Sequence, residues 1–398
     1  MVCPLRPPLS HLVNRGYALA CRLNCTSDGQ GRPVVIGFHR TPSGVGESAR
    51  LCLAALAVCG YAPMAQDLSF RHLPHDLLPP LAGPQDLKND GGPFIMHVNP
   101  PELPSVIRHF GWRLLQHRLV IGYWAWELPC LPPSWRFALR LVDEVWVPSR
   151  FCAEAVRPHS AKPVRIVPHP LPPFAGRPDR AGFGLPDTGF TALTVADLRS
   201  SLARKNPLGT VAAFRRAFGD SNTHHLILKI GGIDGNTAVF DSLREAIAGF
   251  GNVLLLTNLL PPGRMADLIA SVDCVVSLHR AEGFGLVIAQ GMQAGKPVVA
   301  TDWSGSRDFV DASCAMPVPA TLIPVDDPQR RYCPATGQFW ADPDLDAAAY
   351  ALRTLANNPG LSARLGEAAR RRITTLCSPA AYAARLGPAF AAAAGKPS

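Results

Sequence analysis

Glu282 and Gln290 stand eight positions apart, separated by seven residues that begin Gly283-Phe284-Gly285-Leu286, within the stretch SLHRAEGFGLVIAQGMQAGKPVVATDWSG at 277–305. A carboxylate, a glycine turn and the first turn of a helix suit a ligand that carries both hydroxyls and phosphate. Glu282 accepts from hydroxyls, while the unpaired N–H groups and dipole of a helix start favour an anion. Gln290, about one and a half turns on, can hydrogen-bond but carries no charge. Residues 274–278 form a short apolar β-rich run. Residues 286–294 carry apolar side chains at helical spacing and end at Gly295, and 297–301 reads as a buried strand. Such a βαβ unit brings a helix start to the carboxyl end of a parallel sheet.

The Glu282-to-Gln290 spacing, with the EGFGL segment, resembles the E-x7-E signature of retaining glycosyltransferases of family 4, whose fold is the two-domain GT-B. The resemblance implies that Glu282 meets hydroxyls of a donor sugar. The backbone of Gly283, Phe284, Gly285 and Leu286 would meet a diphosphate, and the residue at 290 would take the ribose hydroxyls. Gln290 departs from the pattern: an amide replaces the second carboxylate, and the ribose contact loses its charge.

A chain of 398 residues has room for two or three domains, and 47% hydrophobic with 17% charged residues excludes a disordered protein. No apolar run is long enough to span a bilayer. Residues 1–27 contain Arg6, Arg15 and Arg22 without a convincing cleavage site and read as a disordered leader or a misassigned start. Eleven scattered cysteines without a C-x-x-C pair fit a reduced cytoplasmic compartment. The net charge of +9 is spread along the chain without an aromatic-basic RNA motif, which argues against nucleic acid. It suits an anionic donor, with a peripheral place on the inner face of an anionic membrane as a further expectation.

In chain order, 33–38 is a first strand, 39–46 a glycine loop with Gly44 and Gly46, and 47–59 a helix closed by Gly60. Gly44-x-Gly46 reads either as a simple tight turn or, by the resemblance, as a donor-binding loop over the cleft, near the donor diphosphate or the acceptor. Strands at 94–98, 119–124 and 144–147, alternating with helical stretches at 103–115, 134–141 and 150–156, describe a doubly wound parallel sheet. Trp124 and Trp126 suit a core. Glu127, at the carboxyl end of a buried strand, suits a cleft, because a buried unpaired carboxylate is costly. His97 is either a structural histidine or the substitute for a sugar-binding histidine that relatives carry. Residues 164–167 close this domain.

A second sheet starts at 190–195. In the basic loop 196–207 that follows, Asn206 reads as an N-cap and Pro207 as the first residue of a helix to about 218. The resemblance implies that Lys205 and an arginine, Arg199 or the adjacent Arg204, pair with the donor diphosphate. The strand 226–230 contains Lys229, the strand 253–257 leads to Asn258, which the resemblance implies lies near the nucleobase, and 265–270 is a short helix. Asp308 stands where relatives often have a glutamate. Residues 340–344 precede three helical stretches, the last over 379–394. No metal cluster with sensible ligand spacing occurs, and Asp326-Asp327 reads as solvated loop charge.

The expectation is an α/β GT-B chain. Residues 28–172 form an acceptor domain, 173–188 a linker, 189–375 a nucleotide-sugar-binding domain, and 376–398 a helix crossing back. Its function is expected to be sugar transfer, without metal or cofactor, from a nucleoside diphosphate sugar to a saccharide or lipid-linked acceptor in polysaccharide or glycolipid biosynthesis. A nucleotide-sugar epimerase, or a binding protein that has lost turnover, are the alternatives.

Overall fold

The computed structural model describes residues 31–69, 91–111, 115, 118–332 and 337–394. The expected leader and residues 112–114 lie outside the described residues, and the helix expected over 103–115 runs from Leu103 to Phe110, where Gly111 at φ +82° ends it. The described chain divides into two compact units, one of 31–172 together with 377–394, the other of 173–376.

In the first unit β1 (Val34–Gly37), β2 (Met64–Asp67), β3 (Phe94–His97), β4 (Val120–Tyr123), β5 (Glu144–Val147) and β6 (Val164–Ile166) form a parallel sheet ordered β2-β1-β3-β4-β5-β6. Every residue of β1, β3, β4 and β5 is buried, so these strands read as apolar runs rather than alternations. β2 is absent from the sequence reading because Met64-Ala-Gln-Asp67 is a half-buried edge strand, held only by pairing with β1. The Gly44–Val58 helix starts at Gly44, earlier than expected, because the Ser43 hydroxyl caps it, accepting from the Gly46 amide at 3.1 Å. At Gly46 a Cβ would lie 2.4 Å from the Thr41 carbonyl oxygen, so only glycine fits this turn. The expected helix at 134–141 is a 3₁₀ stretch, Pro133–Arg140.

Residues 377–394 pack on this unit. Tyr382, Leu386 and Phe390 share a core cluster with Val35, Leu56 and Trp146, and the Tyr382 hydroxyl lies 3.1 Å from Cys52 Sγ. In place of one helix over 379–394 there are two, Pro379–Ala383 and Pro388–Ala393, separated at Gly387, whose φ of +82° leaves the helical region.

In the second unit β7 (Phe190–Asp197), β8 (His224–Gly231), β9 (Val253–Leu256), β10 (Cys274–Ser277), β11 (Val298–Thr301) and β12 (Met316–Val318) are ordered β12-β11-β10-β7-β8-β9, all parallel. This is the doubly wound order of a dinucleotide-binding domain, in which the connections leave β7 and β10 in opposite directions and open a crevice beyond their carboxyl ends. The Leu286–Gln293 helix lies tightly on β10, since a Cβ on Gly291 would come within 2.7 Å of Val275 Cγ2. The stretch 173–188 runs along the Pro262–Ser271 helix: the Arg177 amide donates to Asp267 Oδ1 at 2.8 Å and the Asp179 amide to Ser271 Oγ at 2.7 Å. Besides β12 and short 3₁₀ turns, two further elements escaped the sequence reading. One is the Thr237–Ile247 helix. The other is an antiparallel hairpin of β13 (Ala320–Pro324) and β14 (Phe339–Pro343).

Candidate active site

The loops after β7 and β10 meet where the two strands diverge. β7 runs to Asp197, two residues further than expected, and what reads as a basic loop contains a one-turn helix, Leu202–Lys205. The buried Ser201 hydroxyl caps that turn, accepting from the Arg204 amide at 3.1 Å. Asn206 closes it with φ +51° and opens the Pro207–Phe218 helix, accepting from the Gly209 amide at 3.1 Å. Its side-chain amide donates to the Leu278 carbonyl at 2.9 Å, so one residue joins the end of the first loop to the start of the second.

These loops bring three of the expected residues together. Lys205 Nζ lies 2.5 Å from Glu282 Oε1, and Arg204 Nη1 lies 3.4 Å from the same oxygen. Glu282 is 8% exposed and Arg204 3%. Burial pushes the Glu282 carboxyl up, but Lys205, Arg204 and His279 together outweigh it and hold the group down at about 2. Arg204 also donates to the Ala281 carbonyl at 2.7 Å and to Ser200 Oγ at 2.6 Å. His279, fully buried, has its pKa lowered chiefly by desolvation. Two cations therefore share one carboxylate, which leaves a surplus positive charge beside the crevice and favours an anionic ligand.

The glycine turn is shaped by the loop after β11. The Gly305 amide donates to the Glu282 carbonyl at 2.9 Å, and the Glu282 amide to Ser304 Oγ at 2.8 Å. A Cβ on Gly305 would fall 2.2 Å from the Gly283 carbonyl oxygen. Phe284 packs on Phe309 with ring centroids 5.0 Å apart, and Gly285, at φ +95°, opens the Leu286–Gln293 helix with its first N–H groups at this end. Gln290 is half-buried, one turn into that helix.

Arg199, Lys229 and Asn258, expected residues of the same unit, are held otherwise. Arg199 is held by Asp197, Nη2 to Oδ2 at 2.5 Å, and this bond raises its pKa. Lys229 is buried on β8, donates to the Ile230 carbonyl at 3.3 Å and has its pKa lowered by desolvation. Asn258 is exposed after the edge strand β9. Glu127, half-buried, and Gly44, exposed, belong with Gly46 to the other unit. There His97 is buried, 2.8 Å from Ser48 Oγ and stacked on Tyr123. Asp327 is not solvated, as the sequence suggested. It is 6% exposed and accepts from Ser201 Oγ at 2.8 Å and from the amides of Arg331 (2.7 Å) and Tyr332 (3.0 Å). Sequence reasoning also missed His279, Ser304 and Gln329, and no local spacing marks them.

Two doubly wound units of this kind, with the neighbours below, define the GT-B fold. Residues 190–333 match the family model described as Glycosyl transferases group 1. No curated protein matches the chain in sequence. Among solved structures the chain is similar to HepE from Anabaena, in complex with UDP and glucose, at 14% identity and a TM-score of 0.64, over 90% of this chain and 98% of HepE. It is similar to sucrose-phosphate synthase from Thermosynechococcus elongatus at 19% identity and a TM-score of 0.61, over 89% and 97%. To S. aureus TarM, in complex with UDP, it is similar at 14% identity and a TM-score of 0.53. That match covers 75% of this chain and 55% of TarM, so the chain spans about half the length of that protein.

Proposed function

We propose that the protein is a retaining, metal-independent glycosyltransferase of family 4. It moves a sugar from a nucleoside diphosphate sugar to a hydroxyl of a saccharide or lipid-linked acceptor in polysaccharide or glycolipid biosynthesis. The supporting observation is the meeting of Lys205 and Arg204 on Glu282 where β7 and β10 diverge. This cluster lies beside a helix start and inside the segment that matches Glycosyl transferases group 1.

In this reading the bond from the anomeric carbon to the diphosphate oxygen breaks. The acceptor oxygen bonds to that carbon on the same face, and the acceptor proton passes to the leaving phosphate oxygen. Lys205, Arg199, Arg204 and the amides of Gly283 to Leu286 stabilise the leaving group, Glu282 takes donor-sugar hydroxyls and Gln290 takes the ribose. Lys229 and Asn258 complete the donor side. Gly44 and Gly46 serve the donor as well, and Glu127 takes a catalytic part. The donor is a substrate, and no cofactor enters. The work is placed in the cytoplasm, with peripheral attachment to the inner face of the membrane. No helix among the described residues is long and apolar enough to cross one.

The test is incubation with UDP-, GDP-, ADP- and dTDP-sugars and a panel of hydroxyl acceptors. Free nucleotide and the anomeric configuration of the product are read by NMR. Nucleotide release with retained configuration supports the reading. Inverted product overturns the retaining step, an altered sugar without nucleotide release points to an epimerase, and binding with neither means that turnover is lost.

A further inference from the structure

Residues 327–332, which follow β13, reach the turn that carries Arg204 and Lys205. Asp327 accepts the Ser201 hydroxyl proton, which leaves a lone pair of Ser201 Oγ to cap the Arg204 amide. Gln329 spans the same turn, its Oε1 accepting from the Leu202 amide at 2.5 Å and its Nε2 donating to the Leu198 carbonyl at 3.0 Å. The Tyr332 ring lies 5.7 Å from the Arg204 guanidinium carbon. From β14, Asp342 accepts from Arg280 at 2.7 and 3.0 Å, and Arg280 in turn donates to the Ala203 carbonyl at 2.8 Å.

A one-turn helix has almost no stability of its own, since nucleation fixes several residues for a single hydrogen bond. The direction in which it presents Lys205 is therefore set by what holds it, and four side chains brought in by the hairpin or its neighbours do so. We propose that Asp327 and Gln329 are positioning residues, which aim Lys205 and Arg204 at the group leaving the donor. This rests on the glycosyltransferase reading above. Neither residue touches the donor; each acts through the Leu202–Lys205 turn. Asp327→Asn breaks the arrangement without emptying the space: one carboxylate oxygen accepts from the Ser201 hydroxyl and from the Gln329 amide at 3.3 Å, the other from the amides of Arg331 and Tyr332, so an NH2 group in either place meets a backbone N–H.

The experiment compares the wild type with Asp327→Asn, Gln329→Ala, Lys205→Ala and the double variant Asp327→Asn/Lys205→Ala. It uses whichever nucleotide sugar of the panel is turned over, and checks folding by thermal melting. Asp327→Asn is expected to lower kcat about 10- to 100-fold with donor KM changed less than about 3-fold, as for a misplaced group acting in the transition state. The double variant should lose less than the product of the two single losses, because only Arg204 then remains to aim. If Asp327→Asn melts early, Gln329→Ala carries the same test. Wild-type kcat in a folded Asp327→Asn protein, or losses that multiply in the double variant, would overturn the positioning role alone. Unchanged turnover in Lys205→Ala would overturn the site reading and the positioning role with it.

Discussion

Lys205 and Glu282, 77 positions apart in the chain, meet at 2.5 Å, with the ammonium partly open and the carboxylate buried. The pair is asymmetric because Arg204 neutralises the same carboxylate oxygen from the inner side. Lys205 can therefore turn to an incoming phosphate without leaving Glu282 unpaired, and that makes the lysine the mobile charge of the site.

Lys205→Ala is expected to fold, since Arg204 remains on Glu282, and to lose about 2 to 4 kcal/mol of transition-state stabilisation, roughly 30- to 1000-fold in kcat/KM. Steady-state kinetics beside a thermal melt check both halves. Full activity would remove Lys205 from the leaving-group site.

The depressed Glu282 carboxyl ties stability to acid. Its folded pKa of about 2 lies below the ordinary 4.5, so its contribution is fully present above about pH 4.5 and is lost as pH falls toward 2. The stake is about 3 kcal/mol. Urea unfolding across that window should steepen with acid for the wild type and less so for Glu282→Gln. Equal slopes would contradict the pairing.

Gly305→Ala places a methyl against two carbonyl oxygens, those of Gly283 and Glu282, neither of which can rotate away. A loss of roughly 2 to 3 kcal/mol in unfolding free energy is expected, with activity falling further than stability because the Glu282 loop moves. Wild-type melting and turnover would show that the loop yields more easily than its geometry indicates.

If Gln290 faces the ribose, Gln290→Glu supplies a charged acceptor and tightens binding of the nucleoside diphosphate by about 0.5 to 1.5 kcal/mol. Repulsion from the diphosphate works against this, as does loss of an amide donor. Calorimetry on both proteins decides, and an unaltered Kd would place Gln290 away from the nucleotide.

Turnover should survive EDTA, since the charges assigned to the leaving group are Lys205, arginines and backbone amides. Activity abolished by chelation and restored by magnesium or manganese would reassign that role to an ion.

Much of the donor-side architecture was legible in the chain. The 274–301 βαβ unit announces itself by apolar runs and a glycine turn, and Asn206-Pro207 by capping chemistry, because helix starts and strand periods depend on residues a few positions apart. The spacing around Glu282 and the basic loop containing Lys205 offered all three side chains that meet, with Arg204 only as the alternative to Arg199. Only the tertiary structure decided that Arg204 rather than Arg199 joins them: Arg199 lies two residues from Asp197 and folds onto it, while Arg204 points inward from a turn that the sequence read as loop. Nor could the sequence reveal that Asp327 is buried beneath Ser201, 126 residues away, or that β2 and the β13–β14 hairpin exist. Those features are held by partners distant in the chain, and local pattern carries no record of a contact made only once the sheet has folded.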